Sequence, residues 1–276
     1  MPELPEVETI RRDLVRCIVG RRICEVSVND VMVVRMAPKE FSRRLIGKNI
    51  VDVKRRGKAI VIELNDKSSL VIQLAMTGQL IYGKDLPNTR VIFKLSNGKY
   101  LNYNDQRRFG RLYVVKDLSE VAFFRTLGIE PLSRGFDLRW LSTKLRLKKT
   151  PIKSLLMDQN FIAGIGNIYA SEILFRARIH PQKRATSLTE KEVAQLRQIT
   201  VNVLKEAIKL RGSSVNTYRD TNGQKGSFVR RIQVYGRESE ECLICKKPIK
   251  RIVQAGRSTF FCPGCQKKTH EKSCQN

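Results

Sequence analysis

Residues 50–75 read IVDVKRRGKAIVIELNDKSSLVIQLA. Three short β-branched segments, IVDVKRR (50–56), AIVIEL (59–64) and SLVIQLA (69–75), are broken by Gly57 and by Asn65-Asp66. That spacing predicts strands joined by tight turns. The pattern continues on both sides, in ICEVSV (23–28), RVIFKL (90–95), YLNYN (100–104) and GRLYVV (110–115), with turn residues at Pro87-Asn88 and Asn97-Gly98. Many short strands at hairpin spacing predict an antiparallel sandwich or barrel. Ahead of them, residues 5–19 read as a helix that opens on Pro5, stops at Gly20 and shows Val7, Ile10, Leu14, Cys17 and Ile18 on one face. From about 119 to 211 the period becomes helical. It is clearest over 189–210, where Val193, Leu196, Val203, Leu204, Ala207 and Ile208 share a side and Thr189 with Glu192 predicts a capping box.

The chain has 276 residues, 41% of them apolar, which is enough for a core. No apolar run is long enough to span a membrane, and MPELPEVETIRR lacks the basic flank and apolar stretch of a secretory signal. Net charge is +27 and the isoelectric point is near 10.2. Every third of the chain contributes to that excess. This points to a folded protein with a basic face whose partner is nucleic acid, with an anionic membrane surface as the second choice.

Seven cysteines, an odd number, fit a disulfide framework poorly and a reducing cytoplasm well. Cys242, Cys245, Cys262 and Cys265 form C-x2-C-x16-C-x2-C, the spacing of a structural zinc site. Four thiolates close the tetrahedron, so this zinc has no open position for catalysis. The residues between the pairs read as a β-hairpin that turns at Ala255-Gly256-Arg257. Cys17 reads as a core residue and Cys274 is left over. His180 and His270 are the only histidines, which supports a Ser-His-Asp or two-His metal mechanism poorly.

Removal of Met1 would expose the secondary amine of Pro2, a group that titrates near ~8 and so is partly unprotonated at neutral pH. Such an amine can attack a sugar aldehyde carbon and form an iminium, with Glu3 and Glu6 beside it to move protons. With Met1 retained, that nitrogen is blocked as an amide. By itself the pattern also suits an ordinary N-terminus before a helix.

MPELPEVETIRRDL (1–14), RRGKAI (55–60), LAMTGQL (74–80), DQRRFGRL (105–112), LGIEPL (127–132), PIKSLLMDQNFIAGIGNIYASEILF (151–175), GSSVNTYRD (212–220), QVYGR (233–237) and AGRSTFFCPGCQ (255–266) occur in that order. Together they resemble bacterial formamidopyrimidine-DNA glycosylase, which excises 8-oxoguanine and ring-opened purines. Leu4 stands where the related endonuclease VIII branch has Gly, and favours the purine branch.

The resemblance implies an α+β multidomain fold. It has an N-terminal β-sandwich with flanking helices (1–130), a linker (131–136), and a helical DNA-binding domain with a helix–two-turn–helix (137–228). A zinc-binding β-hairpin (229–268) and a tail (269–276) follow. It implies Pro2 as nucleophile at C1′, Glu3 as general acid/base, Lys58 in β-elimination, and Arg257 at a flanking phosphate and in δ-elimination. Met76, Arg107 and Phe109 would fill the gap left by the extruded base; Lys148, Lys153 and Asn167 would hold phosphates; a loop at 213–226 would cover the flipped base. The physics agrees with these roles. A flipped nucleotide leaves a gap for apolar wedges, and Arg can hydrogen-bond the orphaned base. Gln73 and Asn88 stand where this family usually has His, and neither can carry charge.

The expected function is a bifunctional DNA glycosylase/AP lyase of base-excision repair. It would be a cytoplasmic monomer with damaged duplex DNA as partner and one structural Zn2+ that takes no part in the chemistry. An oxidised-pyrimidine glycosylase and a non-catalytic zinc-ribbon DNA-binding protein are the alternatives.

Overall fold

The computed structural model describes residues 1–87, 89–215 and 217–268. The backbone divides into two compact units. One comprises Met1–Leu127 and Glu206–Arg230; the other comprises Gly128–Lys205 and the chain from Arg231 onward.

In the first unit the strands are β1 (Ile23–Val28), β2 (Ile50–Arg56), β3 (Ala59–Leu64), β4 (Ser69–Gln73), β5 (Gly78–Gly83), β6 (Val91–Leu95), β7 (Tyr100–Asp105) and β8 (Arg111–Val115). They pair antiparallel in two four-stranded sheets, ordered β1-β6-β7-β5 and β2-β3-β4-β8. A single buried cluster takes Phe93, Leu101 and Tyr103 from one sheet and Ile60, Ile62, Ile72 and Leu112 from the other. This is the sandwich that the strand spacing predicts. Helix α1 (Leu4–Ile18) adds Val7, Ile10, Leu14 and Ile18 to the cluster, with Cys17 half-buried against it. On the opposite face of the second sheet, Ala59, Val61 and Val71 lie under Phe123 and Phe124 of α3 (Ala122–Arg125). Burial on both faces explains why AIVIEL and SLVI read as unbroken apolar runs rather than alternating ones.

Two elements escape the sequence pattern. β5 is bounded by Gly78 and Gly83, which reads as loop; Gly78 is needed because a Cβ there would lie 2.3 Å from the Leu74 carbonyl oxygen. Helix α2 (Pro38–Leu45) buries only Phe41 and Leu45, a single i,i+4 pair too short to show a period.

The second unit holds α4 (Leu138–Arg146), α5 (Ile152–Met157), α6 (Asn167–Arg176), most of α7 (Glu190–Lys209), and the hairpin β9 (Lys250–Gln254) and β10 (Arg257–Phe261). The capping box forms before α7: the Thr189 N–H donates to the Glu192 carboxylate at 2.8 Å, and the Glu192 N–H donates to the Thr189 hydroxyl at 3.3 Å. The division falls between Leu127 and Gly128, ahead of the expected linker. Gly128 donates to the Gln159 carbonyl at 2.8 Å, and a Cβ on it would lie 2.3 Å from the Phe161 carbonyl oxygen. Phe136 is buried and its carbonyl accepts from Arg197 at 3.0 Å, which packs the end of the segment 131–136, while residues 133–135 are exposed. Residues 206–230, expected with the helical segment, group with the first unit instead. Among the described residues, no helix is long and apolar enough to cross a membrane.

That return is made by ion pairs. Arg211 donates to the Asp13 carboxylate of α1 at 2.5 Å and to that of Asp220 at 2.6 Å, and the Thr221 hydroxyl donates to Asp13 at 3.0 Å. Both carboxylates are buried, while Arg211 is half-open to solvent. Solvent screening on the Arg side reduces what a buried pair of this kind contributes, so Asp13→Ala is expected to cost about 2 kcal/mol. Hydrogen exchange at amides 211–221 reads this directly: their protection falls by that amount if Asp13 is the clamp, and is unchanged if it is not.

Candidate functional site

Met1 is exposed, and the chain turns inward directly after it. Pro2 is buried, and Glu3, 3% exposed, is the extended N-cap of α1. Pro5 in the first turn suits the helix start because no intrahelical partner is lost there. The buried Glu6 carboxylate accepts the Glu3 N–H at 2.8 Å through Oε2 and the Ser213 N–H at 2.7 Å through Oε1. Gly212 must be glycine: its φ is +78° and a Cβ would lie 2.7 Å from Glu6 Oε1. Lys58, half-buried, follows Gly57 in the tight turn between β2 and β3, where the Arg55 guanidinium donates to the Gly57 carbonyl at 3.0 Å. Burial holds the terminal amine, borne by Met1, below its ordinary pKa; Glu3 and Glu6 oppose that, and the Lys58 and Arg107 cations add to it. The fold therefore gathers Pro2, Glu3, Lys58 and Arg107 around one amine whose neutral form is favoured.

Met76 and Phe109 would read as core residues in isolation, yet they are 39% and 50% exposed. Each sits at the tip of a loop next to a residue with left-handed backbone, Ala75 (φ 48°) and Arg108 (φ 58°). Non-glycine residues there cost of order 1–3 kcal/mol each, so the surrounding structure must hold them. Arg107 lies over the Phe109 ring, 4.6 Å from its centroid. Asp105, at the end of β7, is fully buried between the two loops. It takes the Thr77 hydroxyl, the Gly110 N–H at 2.7 Å, and the Arg107 N–H and Tyr103 hydroxyl at 3.3 Å each. The motif DQRRFG draws attention to its arginines and Phe, and nothing in the linear pattern singles out Asp105. Gln73 ends β4 half-buried, paired with Ala59 and Arg111, and Asn88 lies outside the described residues.

In the second unit Lys153, on α5, is only 1% exposed. Its ammonium donates to Asn167 Oδ1, to the Thr259 hydroxyl at 2.8 Å and to the Ser258 carbonyl at 3.4 Å. Asn167, first residue of α6 after Gly166, donates to the Ser258 carbonyl at 3.0 Å. These bonds fasten α5, the start of α6 and the hairpin together. Arg257 begins β10 at the hairpin turn, exposed, after Ala255 and Gly256 with positive φ. Lys148, also exposed, follows α4 and is not drawn into the Lys153 cluster. His180 is a packing residue: it stacks edge-on against Phe261 at 4.8 Å, and burial lowers its pKa. His270 and Cys274 lie outside the described residues.

The Sγ atoms of Cys242, Cys245, Cys262 and Cys265 lie within 4.8 Å of one another. The Cys242–Cys265 and Cys245–Cys262 pairs stand at 3.8 and 3.3 Å. A tetrahedron with ~2.3 Å zinc–sulfur bonds has edges of about 3.8 Å, so these residues fit one structural Zn2+. The Lys247 backbone N–H lowers the Cys245 thiol to about 7; burial raises Cys262 and Cys265. Phe175, Val234 and Ile249 pack around the site. Glu172 of α6, fully buried, accepts the N–H groups of Gln233, Val234 and Tyr235 at 2.9, 2.9 and 3.0 Å and so anchors the chain that leads into it. No sequence pattern marks Glu172, because its partners are backbone.

Residues 1–112 match the model of the formamidopyrimidine-DNA glycosylase N-terminal domain, 127–219 that of the formamidopyrimidine-DNA glycosylase H2TH domain, and 239–268 that of a zinc finger found in FPG and IleRS. The chain is 44% identical to the formamidopyrimidine-DNA glycosylase of Pelotomaculum thermopropionicum, over 97% of this chain and 99% of that one. It is 42% identical to that of Rickettsia africae, over 96% and 99%. The MutM (Fpg) crystal structure from Thermus thermophilus superposes with a TM-score of 0.88 at 41% identity, covering 96% of this chain and 98% of that one. Lactococcus lactis Fpg in complex with abasic-site DNA gives 0.89 at 35%, covering 96% and 100%.

Zinc affinity depends on all four thiols being deprotonated, so binding weakens as pH falls. Metal content measured by atomic emission is expected to be one zinc per chain at pH 8, to drop on acidification, and to be near zero in Cys245→Ser. Proteolysis of that variant should cut within 239–268, and a variant that keeps full zinc would remove Cys245 from the ligand set.

Proposed function

The chain belongs to the formamidopyrimidine-DNA glycosylase family, and from that premise we propose that it excises oxidised purines from duplex DNA and then cuts the strand as an AP lyase. The observation that carries the mechanism is the burial of Pro2 and Glu3 at the head of α1, in the unit that also holds Lys58 at the β2–β3 turn.

In this reading Met1 is removed and Pro2 becomes the terminal residue. Its neutral secondary amine attacks C1′ as the base departs, and Glu3 supplies and removes the protons of base departure and sugar opening. The iminium acidifies the 2′ hydrogen, so β-elimination breaks the 3′ bond with Lys58 as proton donor. Arg257 binds a flanking phosphate and serves the δ step. Met76, Arg107 and Phe109 occupy the gap left in the duplex, a role suited to two exposed apolar side chains and a stacked guanidinium. Asn167 meets phosphate near the lesion with Lys153 behind it, and Lys148 and Asn88 add backbone contacts. The loop at 213–226 covers the flipped base. Zinc holds the hairpin that carries Arg257 and takes no part in the chemistry. The net charge of +27 suits a polyanion, and we place the protein in the cytoplasm as a monomer.

Borohydride trapping on a duplex with 8-oxoguanine opposite cytosine is expected to give a covalent adduct that maps to Pro2. Because only the neutral amine attacks, trapping is expected to rise with pH as the Pro2 amine loses its proton. Glu3→Gln should slow excision by about 10²–10⁴-fold, the usual contribution of a general acid/base. Pro2→Gly should lose base excision while keeping some amine chemistry. Wild-type excision by that variant would remove Pro2 from the mechanism, and adducts only with oxidised-pyrimidine duplex would reassign the substrate.

A further inference from the structure

We propose that Asp105 is the positioning residue for base extrusion: it holds Met76, Arg107 and Phe109 in the geometry that fills the duplex, without touching DNA itself. This rests on the gap-filling role proposed above for those three side chains. Met76 precedes Thr77, whose hydroxyl donates to Asp105 Oδ1. Arg107 donates its own N–H to the same oxygen at 3.3 Å and to the Thr77 hydroxyl oxygen at 3.0 Å. Phe109 precedes Gly110, whose N–H donates to Oδ2 at 2.7 Å. One carboxylate thus fixes a residue beside each of the three tips, and Oδ2 takes in addition the buried Tyr103 hydroxyl at 3.3 Å.

The site is built closely around this group. Asp105 is paired with Gly78 across the β5–β7 ladder, directly after the loop that carries Met76. A Cβ on Gly110 would meet the Tyr103 hydroxyl at 1.8 Å, so backbone is pressed against the carboxylate on that side. Ala75 and Arg108, with left-handed φ, are held between these anchors. Two of the four partners, the Gly110 and Arg107 N–H groups, can only donate, and they fall on different oxygens of the carboxylate. Asn has nearly the same shape but turns an NH2 toward one of those backbone N–H groups, which cannot accept, and so leaves a buried donor facing a donor.

The test separates extrusion from chemistry. Asp105→Asn is expected to lower excision of 8-oxoguanine from duplex by about tenfold or more, equivalent to roughly 1.4 kcal/mol. On a single-stranded oligonucleotide with a preformed abasic site there is no gap to fill, so borohydride trapping by the same variant stays within about twofold of wild type. Thr77→Val, which removes one donor and keeps the carboxylate, gives the same split with a smaller loss and serves if Asp105→Asn does not fold. Equal loss on both substrates, or no loss on either, overturns the proposal. A wild type that neither excises nor traps refutes the glycosylase reading itself, and the proposal falls with it.

Discussion

The Glu6 carboxylate is the joint on which the first unit depends. Its two oxygens tie the backbone of Glu3, at the start of the chain, to that of Ser213, more than two hundred residues later. That bridge fastens the backbone at Ser213 to the head of α1. The Arg211 pairs with Asp13 and Asp220 reinforce it one to two helical turns further along α1. A buried carboxylate is costly unless its oxygens are satisfied, so Glu6 needs the Ser213 segment as well as its own helix start.

The parts of this fold legible in the sequence are those written as periods or spacings. The bounds of β1, β2 and β3 fall where the turn residues put them, α7 starts at its capping box, and the four cysteines meet as their C-x2-C pairs require. β5 was hidden by its flanking glycines and α2 by its brevity. Asp105 and Glu172 were hidden for another reason. Each gathers backbone N–H groups from residues with no side-chain signature, so nothing in the linear pattern marks a buried Asp or Glu from a solvated one. Glu3, Lys58 and Arg107 are separate in the sequence, and only the fold brings their charges to bear on the terminal amine.

The basic excess is also distributed with a structural logic. Glu8 sits amid Arg11, Arg12 and Arg55, and Glu40 between Arg43 and Arg44. Acidic residues here brace neighbouring arginines and fix their direction. Arg257 and Lys148, by contrast, stand exposed at a hairpin turn and after a helix end. Direction is what separates a surface that binds a particular backbone from one that merely attracts polyanions.

The division of the first unit into Met1–Leu127 and Glu206–Arg230 has a consequence for biosynthesis. At about 5–20 residues per second, a ribosome takes roughly 5–20 s to make the hundred or so residues between the end of β8 and the end of the strap. Through that interval the nascent sandwich holds α1 with Glu6 half-satisfied and no seat for Ser213. A truncated polypeptide therefore carries the N-terminal amine without the support that buries it. Synthesis of the strap is therefore the step that supplies the Ser213 N–H to Glu6 and the Arg211 pair to Asp13.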